Sequence, residues 1–132
     1  MGVFLKHSAL AMVGFMVLDG LWLGLLMTSF YTKHLGPIAR MSEGALAPNW
    51  GAALVVYVLL GLGIAAFAVP RAGDPLAAAA YGALLGLVVY GVYDFTNYST
   101  LRDWPLTVVL VDTAWGAVAS GACAAFVRAL TR

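Results

Sequence analysis

Tyr90-Gly91-Val92-Tyr93-Asp94-Phe95-Thr96-Asn97-Tyr98-Ser99-Thr100-Leu101-Arg102-Asp103-Trp104-Pro105 leads into an apolar run that holds Val111-Asp112-Thr113-Ala114-Trp115-Gly116. This stretch decides how the chain is read. It sets Asp94 at the end of one apolar segment and Asp112 inside the next. Both segments are apolar enough for lipid, where a carboxylate is costly and marks a functional-site candidate.

The rest of the chain has the same character. Of its 132 residues, 63% are hydrophobic and 10% are charged. Soluble domains carry about 25% charged residues, so the composition points to a membrane protein. The net charge of +1 speaks against nucleic acid as a partner. The lone Cys123 allows no intrachain disulfide and no cysteine-based metal cage. The length suits one membrane domain over 1–132.

Four apolar segments stand out, at about 8–27, 51–69, 76–93 and 105–127. Each approaches the ~20 residues that cross ~30 Å of hydrocarbon. Without water to satisfy the backbone, segments of this length should be helices. The fold class expected is therefore all-α, a four-helix transmembrane bundle. Pro75 and Pro105 fit first helical turns. Asp19 interrupts the first apolar stretch and no small-residue cleavage site follows it, so a retained helix is expected rather than a leader. The long link from Ser29 to Trp50 is rich in aromatic and basic residues that suit the headgroup zone. Part of it is expected to lie on the membrane as a short interfacial helix. Lys6, Arg71, Arg128 and Arg132 fall on one side, against Lys33, Arg40 and Arg102 on the other. That balance places both termini in the cytoplasm. Gly20-x-x-x-Gly24 and Gly82-x-x-x-Gly86 have the spacing of close helix contacts, within the bundle or with a second copy.

Three aspartates have a companion three residues on: Asp19 with Trp22, Asp94 with Asn97, and Asp112 with Trp115. Residues at that spacing share a helix face. Asp112 follows Pro105 by about 10 Å of helix and Asp19 follows Ser8 by about 16 Å, at 1.5 Å per residue. In an up-down bundle all three carboxylates then fall in one half of the membrane, beneath the long first loop. The expected site is a polar pocket in which Asp19, Asp94, Asn97 and Asp112 bind a proton, a cation or a polar group of a ligand. Trp22 and Trp115 are candidates for its apolar wall, with core packing the equal alternative.

Several classes fall away. A retinal Schiff base needs a lysine within a span, and Lys6 and Lys33 lie outside the spans. The histidines His7 and His34 are equally misplaced for haem. A phosphate-cradling glycine loop and a nucleophile elbow are both missing from the sequence. No metal-ligand spacing appears, so neither metal nor cofactor is expected.

The polar constellation resembles the family of small bacterial membrane proteins known as domain-of-unknown-function family 2177. The resemblance runs through Leu18-Asp19-x-x-Trp22-Leu23-Gly24, Phe30-Tyr31, Leu35-Gly36 and Asn49-Trp50. It is densest in Tyr93-Asp94-x-Thr96-Asn97, Thr100-Leu101, Trp104-Pro105 and Val111-Asp112-x-x-Trp115-Gly116. Ser99 stands where the pattern leads us to expect alanine. The resemblance implies a four-helix protein of the bacterial inner membrane and names no activity. Three readings stay open. The first is a protein that binds or transports a small or lipid-like ligand, proton-linked and working as a homodimer. The second is a membrane enzyme of lipid or peptide metabolism that uses paired aspartates. The third is an accessory subunit.

Overall fold

A computed structural model describes residues 1–131, so Arg132 of the charge count lies outside the described residues. Helix α1 spans Gly2–Leu21 and continues into a π-helical turn, Trp22–Leu26. Helix α2 spans Thr28–Leu35. Strands β1 (Met41–Ser42) and β2 (Ala45–Leu46) form a small antiparallel hairpin. Helix α3 spans Trp50–Gly63 and runs on through a π-helical turn, Ile64–Ala68, and a 3₁₀ turn, Val69–Arg71. Helices α4 (Pro75–Thr100) and α5 (Leu106–Leu130) complete the chain. Four helical stretches are long and apolar enough to cross a membrane: Gly2–Leu26, Trp50–Arg71, Pro75–Thr100 and Leu106–Leu130. The four-helix bundle and the short helix in the first loop are both present.

The spans run further than the apolar segments suggest. The first starts at Gly2 rather than near Ser8, and the third does not stop at Tyr93. Helix α4 carries on through Asp94 to Thr100, so most of the polar stretch between the third and fourth apolar segments is helical and only a few residues before Leu106 form the link. Phe95, Thr96, Asn97 and Tyr98 contain no breaker, and Pro105 is the first residue that bars further helix. Hydropathy falls before helicity does.

Local chemistry explains the other ends. Asn49 caps α3 by accepting from Ala52 N–H at 3.1 Å, and Asp74 caps α4 by accepting from Ala77 N–H at 2.9 Å. Pro75 then occupies the first turn. The π-turn at 22–26 closes the first span. There Met27 N–H reaches the Trp22 carbonyl at 2.7 Å, and the Thr28 hydroxyl donates to the Leu23 carbonyl at 2.7 Å. Arg71 likewise donates to the carbonyls of Ala66 and Phe67 beside the second π-turn. The hairpin turns on Glu43 (φ 51°) and Gly44 (φ 79°). Positive φ at both central residues is what a two-residue hairpin of this twist requires.

Helix α1 packs on α3 and α5, and α4 packs along most of α5. The π-turn at 64–68 closes the ring against α4. Small residues make this possible. A methyl group added at Gly82 or Gly86 would strike the carbonyl oxygen of Ser120 or Gly116, and one at Gly121 would lie 3.0 Å from that of Ala79. The Gly82-x-x-x-Gly86 motif is therefore an internal seam between α4 and α5. Gly20 and Gly24 have nothing within 4 Å of an added methyl, so that motif packs against no helix of this chain. The core sits in the half nearer the termini, around Phe15, Ile64, Val69, Ala119, Cys123 and Val127. Arg128 seals that end by donating to the carbonyls of Ala72 and Gly73, both at 3.0 Å. Leu and Val side chains such as Val17, Leu54, Leu84, Leu110 and Val118 point outward, where a bilayer covers them.

The seam predicts a contrast. Gly86→Leu overpacks α4 against α5 and should cost on the order of 1–3 kcal/mol. Gly20→Ala should change stability by less than about 0.5 kcal/mol. Unfolding titrations in detergent micelles check both.

Candidate functional site

The half of the bundle beneath the first loop holds the polar residues. Asp19 closes the last regular turn of α1, Asp94 lies within α4, and Asp112 lies near the start of α5. Asp94 is fully buried, Asp19 is 8% exposed, and Asp112 is partly covered. Asp19 and Asp112 lie within electrostatic reach of each other, as do Asp94 and Asp112. The carboxylates converge as the spacing suggests, but α1 and α4 meet mainly through α5, which stands between them.

Each carboxylate accepts a hydrogen bond from an aromatic side chain on a different element or in a neighbouring loop. Trp115 Nε1 on α5 donates to Asp19 Oδ1 on α1 at 2.8 Å. The Tyr31 hydroxyl on α2 donates to Asp112 Oδ1, and Trp22 Nε1 donates to Tyr31 Oη at 3.0 Å. Trp104 Nε1, at the foot of α5, donates to Asp94 Oδ1 at 3.3 Å. The two Asp-x-x-Trp motifs are thus exchanged. The indole beside Asp112 serves Asp19, and the indole beside Asp19 serves Asp112 through Tyr31. A shared helix face pairs each aspartate with its own tryptophan. The structure pairs them across helices instead, because the two indoles stack in parallel with centroids 4.2 Å apart and planes 3° apart. The Trp115 N–H thus reaches α1, and the Trp22 N–H reaches α2. Offset or parallel aromatic pairs add about 0.5–1.5 kcal/mol beyond their buried area.

Other residues support this arrangement. Tyr90 lies flat against Gly116, where a methyl group would strike its ring, and comes within reach of both Asp19 and Asp112. Tyr57, the single polar side chain in the middle of α3, sits beside Asp19. Tyr93 meets Trp104 edge-on at 5.9 Å. Asn97, one turn beyond Asp94, is half-buried, and its main-chain carbonyl accepts from Leu101 N–H at 2.7 Å. His34 Nδ1 lies 2.9 Å from the carbonyl of Phe30, on its own helix.

A cavity of about 600 Å³ opens between α1, α3 and the first loop. Asp19, Gly20, Leu23 and Gly24 form one wall, and Ala53, Tyr57 and Trp50 form the other. Arg40, Leu46 and Pro48 of the loop cover it. Of the three aspartates, Asp19 alone lines it, and Trp22 and Trp115 lie outside its walls. The open face of Gly20 and Gly24 is the wall of this cavity. Tyr31, Tyr57, Tyr90 and Trp104 complete the site, although residue spacing singles out none of the four. A lone tyrosine in the apolar run of α3 is the available signal for Tyr57.

Comparison with known proteins adds one finding to this geometry. A family model described as "Predicted membrane protein (DUF2177)" matches residues 4–129. The chain belongs to that family. The DUF2177 match takes in nearly all of the four spans, both Asp-x-x-Trp motifs and the first loop. No curated protein and no solved structure matches the chain. Membership of DUF2177 establishes a membrane protein and carries no activity with it.

Two outcomes are expected. Tyr31→Phe leaves the Asp112 carboxylate and the Trp22 N–H short of a partner and should cost about 1–3 kcal/mol. The second concerns pH. Burial first, then the hydrogen bond to Asp112, holds the Tyr31 hydroxyl above its ordinary pKa. Its neutral form is therefore favoured in the folded state. That stability is fully present below about pH 10, the ordinary tyrosine value, and is lost as pH rises beyond it. Melting curves across the alkaline range should fall more steeply for the wild type than for Tyr31→Phe.

Proposed function

We propose that the protein binds an amphipathic, lipid-like molecule in the cavity between α1 and α3. The observation that carries this reading is the make-up of that cavity. At about 600 Å³ it has the size of a small-molecule site, which typically spans about 300–1,000 Å³. Its walls are mainly apolar, from Met16, Leu23, Ala53, Leu46 and Trp50, with few polar groups facing in. Asp19 and Tyr57 supply an acceptor and a hydroxyl at one point, and Arg40 supplies a cation on the loop side. Such a site suits a molecule with an apolar body and a polar end. Entry from the bilayer follows from its position, because Leu23 and Trp50 on its rim face outward from the bundle.

This favours binding or transfer over hydrolysis. The three carboxylates act as acceptors for aromatic donors, and such bonds hold them in place. Paired acid and base roles would instead call for two carboxyl groups facing one substrate. The same reading assigns the bacterial inner membrane, with the termini in the cytoplasm beside Lys6, Arg71 and Arg128.

The test fills the cavity without disturbing the packing. Gly20→Phe projects a ring into open space. Protein purified from its own membranes in mild detergent should carry a lipid-like molecule that solvent extraction and mass spectrometry detect. Gly20→Phe should carry at least about tenfold less, a loss of ~1.4 kcal/mol in binding. Leu87→Phe, on the lipid-facing side of α4, should carry as much as the wild type. Equal yields from Gly20→Phe and the wild type would exclude the cavity as the site.

A further inference from the structure

Asp94 is the one carboxylate among the described residues with no exposed surface. It does not line the cavity, so it is a site apart from the one proposed above. Its Oδ1 accepts from Trp104 Nε1 at 3.3 Å, a long bond for a carboxylate. Its Oδ2 is buried and has no partner. One turn earlier, at Gly91, α4 touches Thr113 of α5, whose hydroxyl oxygen is also buried without a partner. Two orphaned oxygens therefore sit on one helix seam.

The groups that act on Asp94 offer no compensating positive charge. From α5 it faces the carboxylate of Asp112, and from α2 the hydroxyl of Tyr31. From the α4–α5 link it meets the neutral indole of Trp104, while Arg102 and Asp103 are exposed. The second span meets α4 at residues 64–71, in the half of the bundle away from Asp94. An ionised carboxylate placed there would keep a bare oxygen in a low-dielectric seam next to a like charge. Burial of a charge without a partner is among the most costly arrangements in a protein, and in a membrane interior such a residue marks a proton or ion path. A hydrogen on Oδ2 removes the charge and turns the orphaned acceptor into a donor.

We propose that Asp94 is a proton-binding site: its carboxyl group takes up an exchangeable proton within the α4–α5 seam. Binding is a simple addition, in which one carboxylate oxygen gains H⁺ and the group becomes neutral. Trp104 reads the state of the site, because its N–H donates to the other oxygen of the same group. Trp104 also packs on Tyr93 and anchors the foot of α5.

Infrared spectroscopy of the full chain in vesicles of phosphatidylethanolamine and phosphatidylglycerol, at neutral pH, tests this. Growth on aspartate labelled with ¹³C at the carboxyl carbon marks the aspartates apart from Glu43. The wild type should show a carboxylic-acid C=O stretch that the label shifts. Asp94→Asn should remove this band, while Asp103→Asn should keep it. Asp94→Glu retains an acid and guards against misfolding of the amide variant: its band should persist and stop responding to the aspartate label. A labelled acid band that both Asp94 substitutions leave at undiminished intensity would overturn the proposal. So would a wild type that shows only carboxylate stretches, or an acid band that vanishes when sodium replaces choline in the buffer, which would make the ligand a cation.

Discussion

A carboxylate in a lipid-facing bundle has to be given donors, and the helix that carries it has none to spare. Every backbone N–H in the middle of a helix is already committed to the preceding turn. The donors here come instead from aromatic side chains on other elements: Trp115 for Asp19, Tyr31 for Asp112, and Trp104 for Asp94. The stacked pair of Trp22 and Trp115 makes the first two reciprocal. One contact between two indoles therefore positions two carboxylates, α2 and the upper ends of α1 and α5. Membrane helices gain nothing by hiding apolar surface from one another, because lipid is equally apolar. Polar contacts of this kind and close packing are what remain to hold them together.

The rest of the fold serves that contact. The glycine seam lets α4 and α5 approach until Tyr90 rests on Gly116, which brings Asp94 towards Asp112. The π-turn after Leu21 is equally necessary. It ends the first span, and α2 follows it to place the Tyr31 hydroxyl on Asp112. Gly20 and Gly24 meet no helix of this chain and border the space that becomes the cavity. Small residues thus have two uses in this chain. On α4 and α5 they allow contact, and on α1 they prevent it.

Composition and apolar run length are enough for the four spans, because lipid imposes a minimum length and a ban on charge. The convergence of the three aspartates also follows from their depth along each span. Pairing is what the sequence leaves hidden. A spacing of three residues puts Trp22 beside Asp19, but it does not say where an indole N–H points once a second indole stacks on it. Trp104 reads as a residue of the membrane interface because it lies past the hydropathy limit of the third span. Helix α4 in fact reaches Thr100, so Trp104 sits at the turn where it folds back on Asp94. Tyr57 and Arg40 stand alone in their segments, and only the closure of the first loop over α1 and α3 gives them a common purpose. The hairpin at Glu43-Gly44 escapes notice for a related reason: its strands are two residues each, too short for any alternation to register.

The exchange of partners between the two Asp-x-x-Trp motifs underlies the whole arrangement, and a double-mutant cycle measures it directly. Asp19→Leu, Trp115→Phe and the double variant are to be unfolded alongside the wild type in one lipid-like medium. If the indole of α5 serves the carboxylate of α1, the two single losses together will exceed the loss in the double variant by about 0.6–1.7 kcal/mol, the range seen for hydrogen bonds between membrane helices. If the two losses simply add, to within about 0.3–0.5 kcal/mol, the two groups do not meet and the bundle is held together in some other way.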